Sequence, residues 1–314
     1  MPRSRFVIAH RGASGYLPEH TSEAKALAHA MEADFLEQDV VLTQDDIPVV
    51  LHDIHLDTVT DVATRFPGRQ RDDGRFYVLD FTLDELSRLQ VTERIDLKTG
   101  RAVYPNRFPA WSGEFRISTL RDELALIAGL NRSTGRSAGI YPELKLPAWH
   151  RGEGRDLAAA VLRELSAAGY RDASANVFVQ CFDAAELRRL REELGCTLPL
   201  VQLIGENRWA DARDDFERMC AADGLAELAR TVQGIGPGLN RVIAAGGAAT
   251  ELTSRAHDAG LVVHPFTVRA DALPAGFDSL DDLHAALFEA AGVDGVFTDF
   301  PDRTRQWLLG HARG

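Results

Sequence analysis

Glu37 and Asp39 stand two residues apart inside an apolar run, Phe35-Leu36-Glu37-Gln38-Asp39-Val40-Val41-Leu42, where a core strand would ordinarily exclude acids. In an extended chain alternate side chains share a face, so the two carboxylates converge while Leu36, Gln38 and Val40 take the opposite side. Two like charges held side by side need neutralising, and a hard divalent cation does that directly. The turn Gln44-Asp45-Asp46 returns the chain through Ile47, Val49, Val50 and Leu51 to His52, aimed at the same region. Further polar residues close other apolar runs: His10 and Arg11 follow Phe6-Val7-Ile8-Ala9, and Glu143 and Lys145 end Gly139-Ile140-Tyr141-Pro142-Glu143-Leu144-Lys145. Glu37, Asp39 and Glu143 form an all-oxygen set suited to Mg²⁺ or Ca²⁺ rather than zinc. Arg11 and Lys145 add fixed positive charge of the kind a phosphoryl group needs. Two histidines on separate strands, His10 and His52, can serve as general base and general acid in cleaving a P–O ester bond.

Such a constellation requires a scaffold that gathers strand ends. Phe6–Ala9 reads as a strand buried on both faces, and Thr21 is a helix N-cap ahead of the buried stripe Ala24, Leu27, Ala28 and Met31. From about residue 54 to 115 the rhythm stops, and a segment rich in Asp, Arg, Gly and aromatics reads as an inserted subdomain. Helices and strands then alternate again: a helix from Ser118 or Thr119, strands at 139–145, 176–181, 198–204, 232–235, 261–266 and 295–298, with helices between and after them. About eight βα units predict a (β/α)8 barrel, in which the C-terminal strand ends share one site. A doubly wound open sheet is the competing architecture, but His10-Arg11-Gly12-Ala13-Ser14-Gly15 lacks the GxGxxG spacing of its phosphate turn.

At 314 residues with a net charge of −12, the chain has material for one large α/β domain and no basic surface for nucleic acid. Cys181, Cys196 and Cys220 have no CxxC spacing and are expected as free thiols. No stretch approaches the ~20 apolar residues of a membrane span, and the first strand begins too early for a signal peptide, so a cytoplasmic location is expected, or a periplasmic one if a leader precedes this sequence.

The series His10-Arg11-Gly12, Pro18-Glu19, Glu37-Gln38-Asp39, His52-Asp53 and Pro142-Glu143-Leu144-Lys145 closely resembles the glycerophosphodiester phosphodiesterases. The likeness runs on through Val262-Val263-His264-Pro265-Phe266-Thr267-Val268-Arg269 and Gly295-Val296-Phe297-Thr298-Asp299-Phe300-Pro301-Asp302, and is strongest to the periplasmic bacterial branch. The resemblance implies a TIM barrel with a family-specific insertion after the second strand, and hydrolysis of glycerophosphodiesters to glycerol 3-phosphate and an alcohol. It implies His10 and His52 as the acid-base pair, and Glu37, Asp39 and Glu143 as ligands of one Ca²⁺ or Mg²⁺. Arg11 and Lys145 would contact phosphate, with Glu19, Gln180 and Phe266 completing the substrate-facing set. His20 stands where many members carry Asn and is read as a branch marker, not a third catalytic histidine. Phe266 replaces a Trp or Tyr and bears on headgroup preference.

Overall fold

The computed structural model describes residues 5–210 and 212–311. Eight parallel strands wind round a barrel: β1 (Phe6–Ala9), β2 (Phe35–Leu42), β4 (Gly139–Leu144), β5 (Val179–Cys181), β6 (Leu200–Ile204), β7 (Gly234–Pro237), β8 (Val262–Val263) and β9 (Gly295–Thr298). β3 (Pro48–Val50) is the exception, an antiparallel partner of β2 that carries the chain back toward the strand ends. The sheet order is β8-β7-β6-β5-β4-β2-β1-β9. Asp294 N–H to Val263 O, Phe297 N–H to Pro265 O and Val268 N–H to Phe297 O close the remaining gap. An open doubly wound sheet is thereby ruled out.

Side-chain alternation separates two cores. Val7, Ala9, Leu36, Val40, Ile140, Leu144, Val179 and Cys181 face outward into the helical layer. Ile8, Phe35, Tyr141, Val201 and Phe297 face the barrel interior, with Phe6, Phe178 and Phe266 packed against them. This aromatic plug leaves the barrel a packed core, not a pore. Glu37, Asp39, Glu143 and Gln180 share the inward phase with Phe35, Tyr141 and Phe178, so the alternation that builds the plug also stacks the polar residues above it. The strand registers pair Asp39 with Glu143 and Glu143 with Gln180.

Local rules account for most connections. Thr21 caps the Ser22–Ala30 helix through the Ala24 N–H, Thr119 caps Leu120–Thr134 through Asp122 N–H, and Asp183 caps Ala184–Glu192 through Glu186 N–H. The run 261–266, expected as one strand, is regular only at Val262–Val263. Pro265 has no N–H to give a ladder, although its carbonyl still accepts from Phe297. The helix between the last two strands begins as Leu280–His284, capped by Ser279, and widens into a π-helical turn over Ala285–Ala290.

Between β3 and the Leu120–Thr134 helix the chain has only short helical turns and isolated bridges. Residues 54–115 nonetheless bury a separate apolar cluster, including Ile54, Leu56, Val59, Phe76, Phe81, Leu86 and Leu89, against Val41, Val49 and Leu51. Among the described residues no helix is long and apolar enough to cross a membrane.

Candidate active site

The first βα turn sets the site's geometry. Arg11 and Gly12 both adopt left-handed backbone, at φ 60° and 85°. A Cβ on Gly12 would lie 2.8 Å from the Ala24 carbonyl carbon, so the tight turn and the close approach of the helix both require glycine there. Arg11 pays a conformational penalty in that region, of the kind that persists where surrounding structure over-determines it. The turn directs the Arg11 N–H onto Glu37 Oε2 at 2.5 Å. The Arg11 guanidinium bonds Glu19 at 2.9 Å and lies 3.5 Å from Asp39 Oδ2.

His10 and His52 meet at one cavity of about 210 Å³, lined also by Arg11, Ser14, Glu19, Arg94, Tyr104, Arg107, Arg269 and Asp299. Each histidine spends Nδ1 on a carboxylate at 2.6 Å: His10 on Asp299 and His52 on Asp53. Nε2 is therefore the nitrogen each has free for the cavity. Burial, then the charge of Arg11, pushes both imidazoles down to about 4, against the opposing pull of their aspartates. Both settings disfavour the imidazolium form. Asp299 and Asp53 resist the upward push of burial and are held well below the ordinary carboxylate range, chiefly by their histidines and by neighbouring arginines.

Residues 54–115 supply those arginines in part. Arg94 joins Asp53 (2.6 Å) to Glu19 (2.7 Å), and Arg107 joins Asp299 (2.7 Å) to Asp271 (2.8 Å). Arg269, past β8, adds a bond to Asp299 at 2.9 Å.

Beside this cavity Glu37, Asp39 and Glu143 are all buried. Lys145 Nζ lies 2.8 Å from Glu143 Oε1 and 3.6 Å from Asp39 Oδ1. Burial pushes Asp39 up, but Lys145 and the nearby histidines outweigh it and hold its carboxyl well below the usual range. Burial and then Asp39 push Glu37 well above it. Glu143 is pushed up to about 8 by burial, with Lys145 opposing. Asp39 Oδ1 is buried without a hydrogen-bond partner. An orphaned carboxylate oxygen, beside two carboxyls whose ionisation burial opposes even with Lys145 and Arg11 at hand, fits a hard divalent cation. The tightest trio among the described residues is His20, Glu37 and Asp39, with candidate ligand atoms all within 4.8 Å of one another. His20, set aside in the sequence reading, is thus buried against the acids, its Nε2 2.7 Å from Asp39 Oδ2.

The remaining candidates lie outside the cavity lining. Gln180 is buried beside Glu143, its Oε1 unpartnered. Phe266 packs edge-on to Phe182 at 5.9 Å, and Lys145 lies 6.0 Å from that same Phe182 ring. Arg94 and Arg107 sit in an aperiodic segment that carries no sequence signal for them, and the only local signal of Asp299 is its place just after a strand end.

The family model for the glycerophosphoryl diester phosphodiesterase family matches residues 10–303. The chain belongs to that family. It is 43% identical to a glycerophosphodiester phosphodiesterase of Haemophilus influenzae, over 99% of this chain and 91% of that protein. It is 40% identical to one of Treponema pallidum, over 98% and 93%. Among solved structures, a candidate glycerophosphoryl diester phosphodiesterase from Silicibacter pomeroyi superposes with a TM-score of 0.76 at 28% identity, covering 99% of this chain and 95% of that one. An Oleispira antarctica phosphodiesterase, solved with the product sn-glycerol-3-phosphate, shares the fold with a TM-score of 0.65 at 20% identity, over 98% and 97%.

Proposed function

We propose that this member of the family hydrolyses glycerophosphodiesters to glycerol 3-phosphate and the headgroup alcohol, with His10 and His52 as its acid-base pair. The observation that carries the reading is the matched His–Asp geometry: two imidazoles, each with Nδ1 tied to a carboxylate at 2.6 Å, open on one arginine-lined cavity. Nδ1–H donation fixes each ring's tautomer and leaves Nε2 able to accept or return a proton. One imidazole takes the proton of the attacking oxygen, which is water or the substrate's own glycerol 2-hydroxyl. As the new P–O bond forms and the headgroup P–O bond breaks, the other imidazole, which enters as imidazolium with a second proton on Nε2 beside the anionic phosphodiester, gives that proton to the leaving oxygen.

Arg11, braced by Glu19, and Lys145 orient the phosphoryl oxygens and oppose the negative charge that builds on them. Glu37, Asp39 and Glu143 would hold a hard divalent cation, which would supply further positive charge to the reacting phosphoryl group. Gln180, beside Glu143, and Phe266, packed on the Phe182 ring that Lys145 also approaches, border the glycerol and headgroup ends. Residues 54–115 act as an inserted subdomain that walls the cavity, a reading supported by its own apolar cluster and by Arg94, Tyr104 and Arg107 at the cavity surface.

Release of glycerol 3-phosphate from glycerophosphocholine, measured before and after chelation and on return of Mg²⁺ or Ca²⁺, tests this directly. Turnover that stops on chelation and recovers with one of these cations is expected. Binding without turnover under every condition would instead mark a glycerophosphodiester-binding protein.

A further inference from the structure

Lys25 is fully buried, as is Glu123, and the two meet at 2.9 Å across the helices Ser22–Ala30 and Leu120–Thr134. Fully buried lysines are rare, and a buried ion pair is often no more stabilising than apolar residues of the same volume. Their placement suggests a task beyond joining two helices. Lys25 Nζ also donates to the Glu37 backbone carbonyl and lies 3.3 Å from His20 Nδ1. An ammonium has three donors and no acceptor, so these three contacts use it completely and make His20 Nδ1 the acceptor. The His20 proton then sits on Nε2, facing Asp39 Oδ2 at 2.7 Å.

We propose that Lys25, anchored by Glu123, is a positioning residue that fixes the His20 tautomer, making His20 a hydrogen-bond donor that orients Asp39 and not a ligand of the cation. The trio of His20, Glu37 and Asp39 allows two readings on distance alone. The contact of Lys25 with the far side of the imidazole favours one of them, because a ring nitrogen carrying a proton has no lone pair for a metal. With Oδ2 engaged by His20, the unpartnered Asp39 Oδ1 is the oxygen turned toward Lys145 and left for the cation. The inference rests on the reading of the acid cluster as a cation site and adds which atoms serve it.

The test is ¹⁵N NMR of histidine-labelled protein, combined with calorimetry using Mg²⁺ and Ca²⁺ alone. Metal-free wild type is expected to show His20 protonated on Nε2 and bare on Nδ1, and to keep that proton when cation is added to saturation. Lys25→Met with Glu123→Leu removes both buried charges together. It is expected to fold, to populate both His20 tautomers, and to bind Mg²⁺ roughly 10–100-fold more weakly. A proton on Nδ1 in the metal-free protein, loss of the Nε2 proton on adding cation, or wild-type affinity in the folded double variant would overturn the proposal. The first two are read from wild type, so they decide even if the double variant does not fold. Absence of any Mg²⁺ or Ca²⁺ binding by wild type would strike the cation-site reading instead, and the metal-free spectrum would still judge the role of Lys25.

Discussion

The two His–Asp pairs share one contact distance but are built in opposite ways. His10 and Asp299 are 289 residues apart and meet because β1 and β9 are adjacent strands of the closed barrel; their side chains are 11% and 2% exposed. His52 and Asp53 are neighbours in the chain beyond β3, with side chains 31% and 23% exposed. The first pair inherits its geometry from the barrel. The second depends on Thr58 and Arg94, within residues 54–115, which hold Asp53 Oδ2 at 3.0 and 2.6 Å. One chemical unit can thus be placed by fold closure or by local chain geometry, and the two routes should fail differently.

Removing either imidazole should have the largest effect: His10→Ala and His52→Ala are each expected to lower kcat by roughly 10² to 10⁴ while far-UV circular dichroism stays unchanged. Near-normal turnover in either variant would break the equivalence of the two pairs. The carboxylates should then separate them. Asp299→Ala strips Arg107 and Arg269 of a buried counter-charge and is expected to destabilise the fold by about 3 kcal/mol. Asp53→Ala, at a side chain 23% exposed, should cost less, about 1 kcal/mol. Urea unfolding of both variants checks the order, and the reverse order would contradict the contrast between them.

The smallest expected difference between the two pairs is in pH dependence. Both imidazoles lie near 4 in the fold and near 6.5 when unfolded, so between these values the unfolded chain binds more protons. The histidines' contribution is therefore fully present above about pH 6.5 and is lost as pH falls toward 4, by up to about 1.4 kcal/mol per pH unit for each such group. His264 and His284, also lowered to about 4, add to the slope. His10→Gln should flatten it more than His52→Gln, whose parent side chain is better solvated; equal slopes would blur the distinction.

The same contrast marks what could be read from the sequence. Strand phase was legible: acids two residues apart in an apolar run share a face, and counting the alternations predicts the barrel that the structure shows. Long-range pairing was not. Nothing near Asp299 names His10 as its partner, and nothing near Lys25 names Glu123, 98 residues away. The Ser22–Ala30 helix illustrates the limit. Ala24 and Ala28 are buried as their spacing predicts, but Lys25 and His29 are buried with them, because charged and polar side chains reach inward when a partner waits there. Arg94 and Arg107 were illegible for another reason: periodicity carries no signal in a segment whose backbone follows none.

The central claim is that one imidazole removes a proton from the attacking oxygen while the other protonates the leaving one. It is tested most directly by assaying His10→Ala and His52→Ala on glycerophosphocholine and on a glycerol phosphodiester with a p-nitrophenyl leaving group. A nitrophenolate departs without needing a proton, so the variant lacking the general acid is expected to regain most of its lost rate on that substrate, while the variant lacking the base stays slow. Both variants slowed equally on both substrates would contradict the account.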